Sequence, residues 1–222
     1  MAISVAKQAT SSASELHPLI TWAAKRQKPL LYAATAILLI ALVAWYVTES
    51  NRRKRDQAFS SLDQARAAME AGSYPEASTE LQRITQVFAG TDAAYEAVLT
   101  LNQVRMLSGQ SQLAVDELRS FISSGPPATY VAQAQGHLGM ALENVGNYAE
   151  AATAYLAAAD PGEPAYRQTD ALLAAARCQR LAGDPKAAAE TLQSLLVKFG
   201  EDETPGVIEA RVRLAELTGG AT

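Results

Sequence analysis

Four glycines stand 37 residues apart, at Gly72, Gly109, Gly146 and Gly183. Each is followed five residues later by an alanine (Ala77, Ala114, Ala151, Ala188) and nine residues later by a large apolar residue (Leu81, Leu118, Tyr155, Leu192). Residues four apart share a helix face, so each pair forms one apolar stripe beginning shortly after a helix-stopping glycine. A constant period of this length, with a turn signal inside it, marks stacked supersecondary units. An alanine-rich bundle needs no such period. The chain is therefore expected to hold four two-helix repeats, each burying its apolar face only against a neighbour. Two residues after each glycine stand Tyr74, Ser111, Tyr148 and Pro185, a looser position.

The stretch from Leu138 to Pro161 carries the fullest version of the unit: Leu138 and Gly139, then Gly146, Tyr148 and Ala151, then Tyr155, Ala158 and Pro161. This order of small and large residues resembles the tetratricopeptide (TPR) helix-turn-helix consensus. The resemblance implies antiparallel helices that touch at small residues while aromatics fill the space between pairs. It is fullest in the third repeat and thinnest in the second, where Ser111 and Leu113 replace the usual Tyr and acidic residue. Repeat two is expected from about Thr91 to Ser123, repeat three from Pro126 to Asp160 and repeat four from Pro164 to Gly200. Thr204 and Pro205 then open a last helix through Leu217, read as a cap with Arg211, Arg213 and Glu216 on its outer face.

Charge separates the chain into two parts. Residues 1–55 hold eight basic residues against Glu15 and Glu49, a net +6, whereas residues 56–222 hold 11 basic and 21 acidic ones, a net −10. An acidic repeat region lacks the basic stripe that replaces phosphate counterions, so no nucleic-acid partner is expected. With one cysteine, Cys178, no internal disulfide can form, and the thiol is read as a small core residue of the fourth repeat.

The basic arm has its own logic. Residues 1–14 are small and polar, and 1–28 are read as a tail whose part from Leu16 to Lys28 forms a short interfacial helix, with Trp22, Lys25, Arg26 and Lys28 at a membrane surface. Leu30 to Val47 is eighteen uncharged residues behind Pro29, closing on Trp45 and Tyr46. At about 1.5 Å per residue it spans roughly 27 Å, close to the hydrocarbon thickness of a bilayer. One transmembrane helix within 29–50 is expected, retained because no small-residue cleavage site follows it. Four basic residues precede the span and four follow it, beginning with Arg52 and Arg53, so charge gives no orientation. No Gly or Pro interrupts 51–70, and the span is expected to run straight into the first repeat helix.

No metal-ligand spacing, phosphate loop or nucleophile elbow occurs, so neither catalysis nor a cofactor is expected. His17 and His137 are read as surface or packing residues, and carboxylate runs such as Glu201-Asp202-Glu203 as solvated faces. What a repeat array offers instead is a concave face. Counting back from the repeat glycines puts Leu62, Arg66 and Met69; Leu99, Gln103 and Met106; Gln133, Met140, Glu143 and Asn144; and Leu173, Arg177 and Arg180 there. The three methionines either line a groove for a helix or extended peptide or fill that groove's own core.

The sum is an all-α chain: one N-terminal transmembrane helix, four TPR-like helix pairs over 51–200, and a capping helix and tail over 201–222. A basic tail with Trp22, one span ending in Trp45-Tyr46 and a helix leading into TPR-like repeats is similar in layout to the bacterial ancillary Sec translocon subunits. That resemblance implies a single-pass protein of the bacterial inner membrane with periplasmic repeats; Arg52 to Arg55 depart from what a periplasmic flank contains. The expected function is a non-enzymatic scaffold, an accessory subunit docked on a membrane complex that holds extrinsic protein partners and contacts lipid through residues 30–47. A translocon and a photosynthetic or respiratory assembly remain open as the complex, and a periplasmic client-binding chaperone or envelope assembly factor is the alternative.

Overall fold

A computed structural model describes residues 27–219, without the side chains of 27–30, 33 and 34. The expected interfacial helix and Trp22, Lys25 and Arg26 lie outside the described residues, as does the side chain of Lys28. Among the described residues there are nine helices and no strand: α1 Gln27–Glu70, α2 Tyr74–Val87, α3 Asp92–Leu107, α4 Ser111–Ser123, α5 Ala128–Asn144, α6 Tyr148–Ala158, α7 Ala165–Leu181, α8 Pro185–Phe199 and α9 Pro205–Thr218. The chain divides into two units within α1, between Lys54 and Arg55.

The first unit's described helix carries large apolar residues with no regard for face. Ile37, Leu38, Leu39 and Ile40 are consecutive and each more than half exposed, as are Trp45 and Tyr46. Among the described residues no helix is long and apolar enough to cross a membrane. From Thr35 to Val47, about 20 Å of helix, the run is uncharged, and it ends before Glu49 and Arg52. Leu30, Ala33 and Ala34 of the expected span fall outside it. α1 begins two residues ahead of Pro29, which sits in its first turn, where the missing N–H costs nothing.

The second unit is built from the repeat glycines. Gly72, Gly109, Gly146 and Gly183 all take positive φ, between 74° and 86°, the left-handed conformation that ends a helix and that only glycine adopts without strain. Each turn closes the same way: the glycine N–H donates to the carbonyl three residues back, and the next residue's N–H donates to the carbonyl five back. The pairs are Ser73 to Ala68, Gln110 to Arg105, Asn147 to Leu142 and Asp184 to Gln179, at 2.8–2.9 Å. One residue further the second helix of each repeat begins, at Tyr74, Ser111, Tyr148 and Pro185. That position starts a helix in every repeat, with Tyr74 also packing against the core and Ser111 buried.

The stripes then pack. Ala77, Ala114, Ala151 and Ala188 are wholly buried, and Leu81, Leu118, Tyr155 and Leu192 nearly so. Gly139 on α5 shows why the third repeat carries a residue without a side chain there. A Cβ there would lie 2.8 Å from the Tyr155 ring on α6, so the two helices meet through that ring. Buried residues run from Ala58, Leu62 and Ala65 of α1 through α2 and α3, then from α3 to α7, and from α7 to α9. Three helix starts are capped by side chains: Thr91, Asp184 and Thr204 accept from the N–H groups of Ala94, Ala187 and Val207. α9 buries Val207, Ala210 and Leu214. Its outer face is less polar than expected, since Ile208 and Val212, one turn apart, are about half exposed beside Arg211.

Candidate functional site

The first helices of the repeats, α1, α3, α5 and α7, together with α9, enclose three hollows in the second unit. The first, about 580 Å³, is lined by Arg66, Met69 and Glu70 of α1, Glu96, Leu99, Thr100 and Gln103 of α3, and Thr129, Tyr130, Gln133 and His137 of α5, with Arg167 of α7. The second, about 570 Å³, shares Gln133, His137 and Arg167 with it and adds Met140, Tyr155, Glu163, Asp170 and Arg177. The third, about 370 Å³, shares Arg177 with the second and reaches Arg180, Glu209, Arg213 and Glu216. Shared walls make the three one groove along the first-helix side.

The repeat register explains which residues enter it. Six residues before each glycine stand Arg66, Gln103, Met140 and Arg177, and all four line the groove. Three before it the row splits. Met69, which also packs against the core, and Arg180 line hollows, whereas Met106 packs against the core alone and Glu143 is committed to other side chains. Asn144, at the end of α5, is exposed and stands outside the three hollows. Leu62 is wholly buried in the core.

Several groove residues fall outside the expected set. Thirteen residues before the glycines, two turns further back on the same face, Glu96 and Asp170 join the expected Gln133; sixteen before are Tyr130 and Arg167. Extending the register by a heptad would have found them. Arg213 and Glu216 lie on the cap, outside the period, and carry no such signal.

Fixed ion pairs set the electrostatics. Arg66 meets Glu96 at 2.7 Å. Arg177 grips Glu143 with two donors, Nε at 3.0 Å and Nη2 at 2.8 Å, and the Tyr155 hydroxyl donates to the same carboxylate at 3.1 Å. Burial pushes the Glu143 carboxyl up, but hydrogen bonds and charge from Arg177, with Tyr155 and Cys178, outweigh it and hold the group below its ordinary value. Cys178, fully buried behind this carboxylate, is raised to about 11 by burial and by Glu143, which makes it an inert thiol. Tyr130, its ring tilted against Tyr95 with centroids 5.1 Å apart, donates to Asp92 at 3.2 Å and is raised to about 12 by burial and that carboxylate. His137 sits where the first two hollows meet. Its Nδ1 is buried with no partner among the described residues, and burial pulls its pKa below the ordinary histidine value. Away from the groove, buried Arg105 is paired with Glu117 and accompanied by Asn102, binding α3 to α4.

Among the described residues no group of three or more His, Cys, Asp or Glu is placed to hold a metal. The groove instead offers amides (Gln103, Gln133), a flexible thioether (Met140) and pre-positioned guanidinium groups, which suit a peptide's main chain and mixed side chains.

A family model described as tetratricopeptide repeat matches residues 170–201, from within α7 through α8. The second unit is a TPR-like solenoid. Solved structures agree on the fold. The nearly identical TPR-like repeats of a Podosopora anserina kinesin light chain superpose with a TM-score of 0.61 at 18% identity, over 74% of this chain and 86% of that one. The MamA protein gives 0.56 at 18% identity, over 73% and 81%. A tetratricopeptide repeat protein from Parabacteroides merdae gives 0.56 at 13% identity, over 73% of this chain and 61% of that one. No curated protein matches the sequence at a significant level. At these identities the TPR-like likeness is one of fold.

Proposed function

We propose that the protein is a non-enzymatic, membrane-anchored scaffold, an accessory subunit of a multi-subunit membrane complex that holds extrinsic protein partners in the groove of its TPR-like repeats. The observation that carries the scaffold reading is the groove itself. Three hollows joined through Gln133, His137, Arg167 and Arg177 line one side of the repeats, with ion pairs that fix the charged walls in advance. Pre-set side chains lower the ordering cost of binding.

The anchor reading rests on the apolar run of α1. Ile37 to Ile40 point, at 100° steps, to every side of the helix. A partner protein covers one side; lipid surrounds all of them. With Leu30 to Thr35 included, the run reaches spanning length, and Trp45 and Tyr46 mark its end at an interface. The placement in a bacterial inner membrane with periplasmic repeats draws on the layout resemblance alone.

The test is purification of the full chain from its native membrane in mild detergent, with subunits identified and counted. A membrane complex at fixed ratio is the expected result. Release by alkaline carbonate would remove the anchor. Recovery with many substoichiometric soluble proteins would favour the client-binding alternative, which the open groove also accommodates.

A further inference from the structure

We propose that Arg52, Arg53 and Lys54 form a cationic cuff on α1 that binds the headgroups of anionic phospholipids, an inference that rests on the anchor reading of residues 30–47. Three observations converge. All three side chains are exposed. They begin five residues beyond Val47, about 7.5 Å along the helix, which is the depth of the headgroup layer beside the hydrocarbon. On consecutive helical positions they sweep about 200° of the circumference.

Side-chain direction decides what they reach. In an α-helix every Cα–Cβ bond leans toward the N-terminus, so cations placed after an apolar run lean back over it. Their aliphatic stems cover the last apolar turn while the charged heads stay in the polar layer. Within α1, Glu49 answers only Arg53, at 2.8 Å. Arg52 and Lys54 have no ion pair among the described residues. The segment 49–54 therefore keeps a net +2, and the groups that complement it at this depth are phosphodiesters carrying a full negative charge. A protein ligand would demand a shaped pocket; three flexible cations on an open helix have none, which suits a fluid layer of headgroups.

The full chain, reconstituted in phosphatidylcholine vesicles, is probed with trace spin-labelled phosphatidylglycerol or spin-labelled phosphatidylcholine, and the motionally restricted fraction of each is measured. About a fivefold preference for the anionic probe is expected, falling at least about twofold in the triple variant R52Q/R53Q/K54Q and toward unity at about 1 M salt. Lys186→Gln, an exposed change elsewhere, leaves it unchanged. Equal restriction of both probes by the unsubstituted protein, or a preference undiminished in the triple variant, would overturn the cuff while leaving the anchor standing. Absence of any restricted component with either probe would overturn the anchor and the cuff together.

Discussion

The apolar residues of 31–47 and those of the repeats are the same kinds of side chain arranged by opposite rules. In the repeats Ala77, Leu81 and Ile84 recur every three or four positions and vanish from the surface. In α1 Ile37 to Ile40 follow one another without a polar interval and stay exposed. Composition separates the two poorly; spacing separates them well. Periodic apolar residues tell the chain which side to hide from water, whereas an unbroken run leaves no polar side, the feature on which the proposed anchor rests.

Truncation is the sharpest way to break this comparison. Leu118→Ala, at a wholly buried position, is expected to lower the unfolding free energy of the repeats by about 3 kcal/mol. Leu38→Ala, at an exposed one, is expected to shift it by less than about 0.5 kcal/mol. Urea titrations followed by circular dichroism read both, and equal losses would erase the distinction. Next in size is the α5–α6 contact. Gly139→Val forces a side chain into the Tyr155 ring and should cost about 2–3 kcal/mol. Gly136→Ala meets only Ala158 at an ordinary 3.8 Å and should be neutral or gain up to about 1 kcal/mol in helix propensity. A turn glycine sits between these extremes: Gly146→Ala, at φ +80°, should lose about 1 kcal/mol.

The smallest effect is one of pH. His137 is held neutral by burial, so its folded pKa lies below its unfolded value. As pH falls through the ordinary value of 6.5 the unfolded chain takes up the proton first, and stability present above that pH is progressively lost below it. His137→Leu should flatten the stability profile in that window. The further loss at lower pH should remain, where Glu143 and Glu80, the latter held down by its hydrogen bond from Arg83, protonate.

Features that the backbone requires at a fixed interval were legible in the sequence. The turn glycines, the buried alanines and the groove row Arg66, Gln103, Met140 and Arg177 all follow from one period. Residues whose role depends on neighbours outside the period were not. Arg105 is buried because Glu117 and Asn102 meet it there, and Glu143 is withdrawn from the groove because Arg177 and Tyr155 hold it. Ile208 and Val212 are exposed because the repeats end, which no spacing rule announces. Tyr130 and Arg167 stand sixteen residues before their turn glycines, where one more heptad of the same period reaches the groove.

The claim that 31–47 and the repeats live in different solvents is tested most directly at Trp45, one of the chain's two tryptophans. In a Trp22→Phe variant reconstituted into vesicles, its fluorescence should be quenched by lipids brominated near the headgroup and be indifferent to iodide in the buffer. Full quenching by iodide with none from brominated lipid would place Trp45 in water and contradict the account.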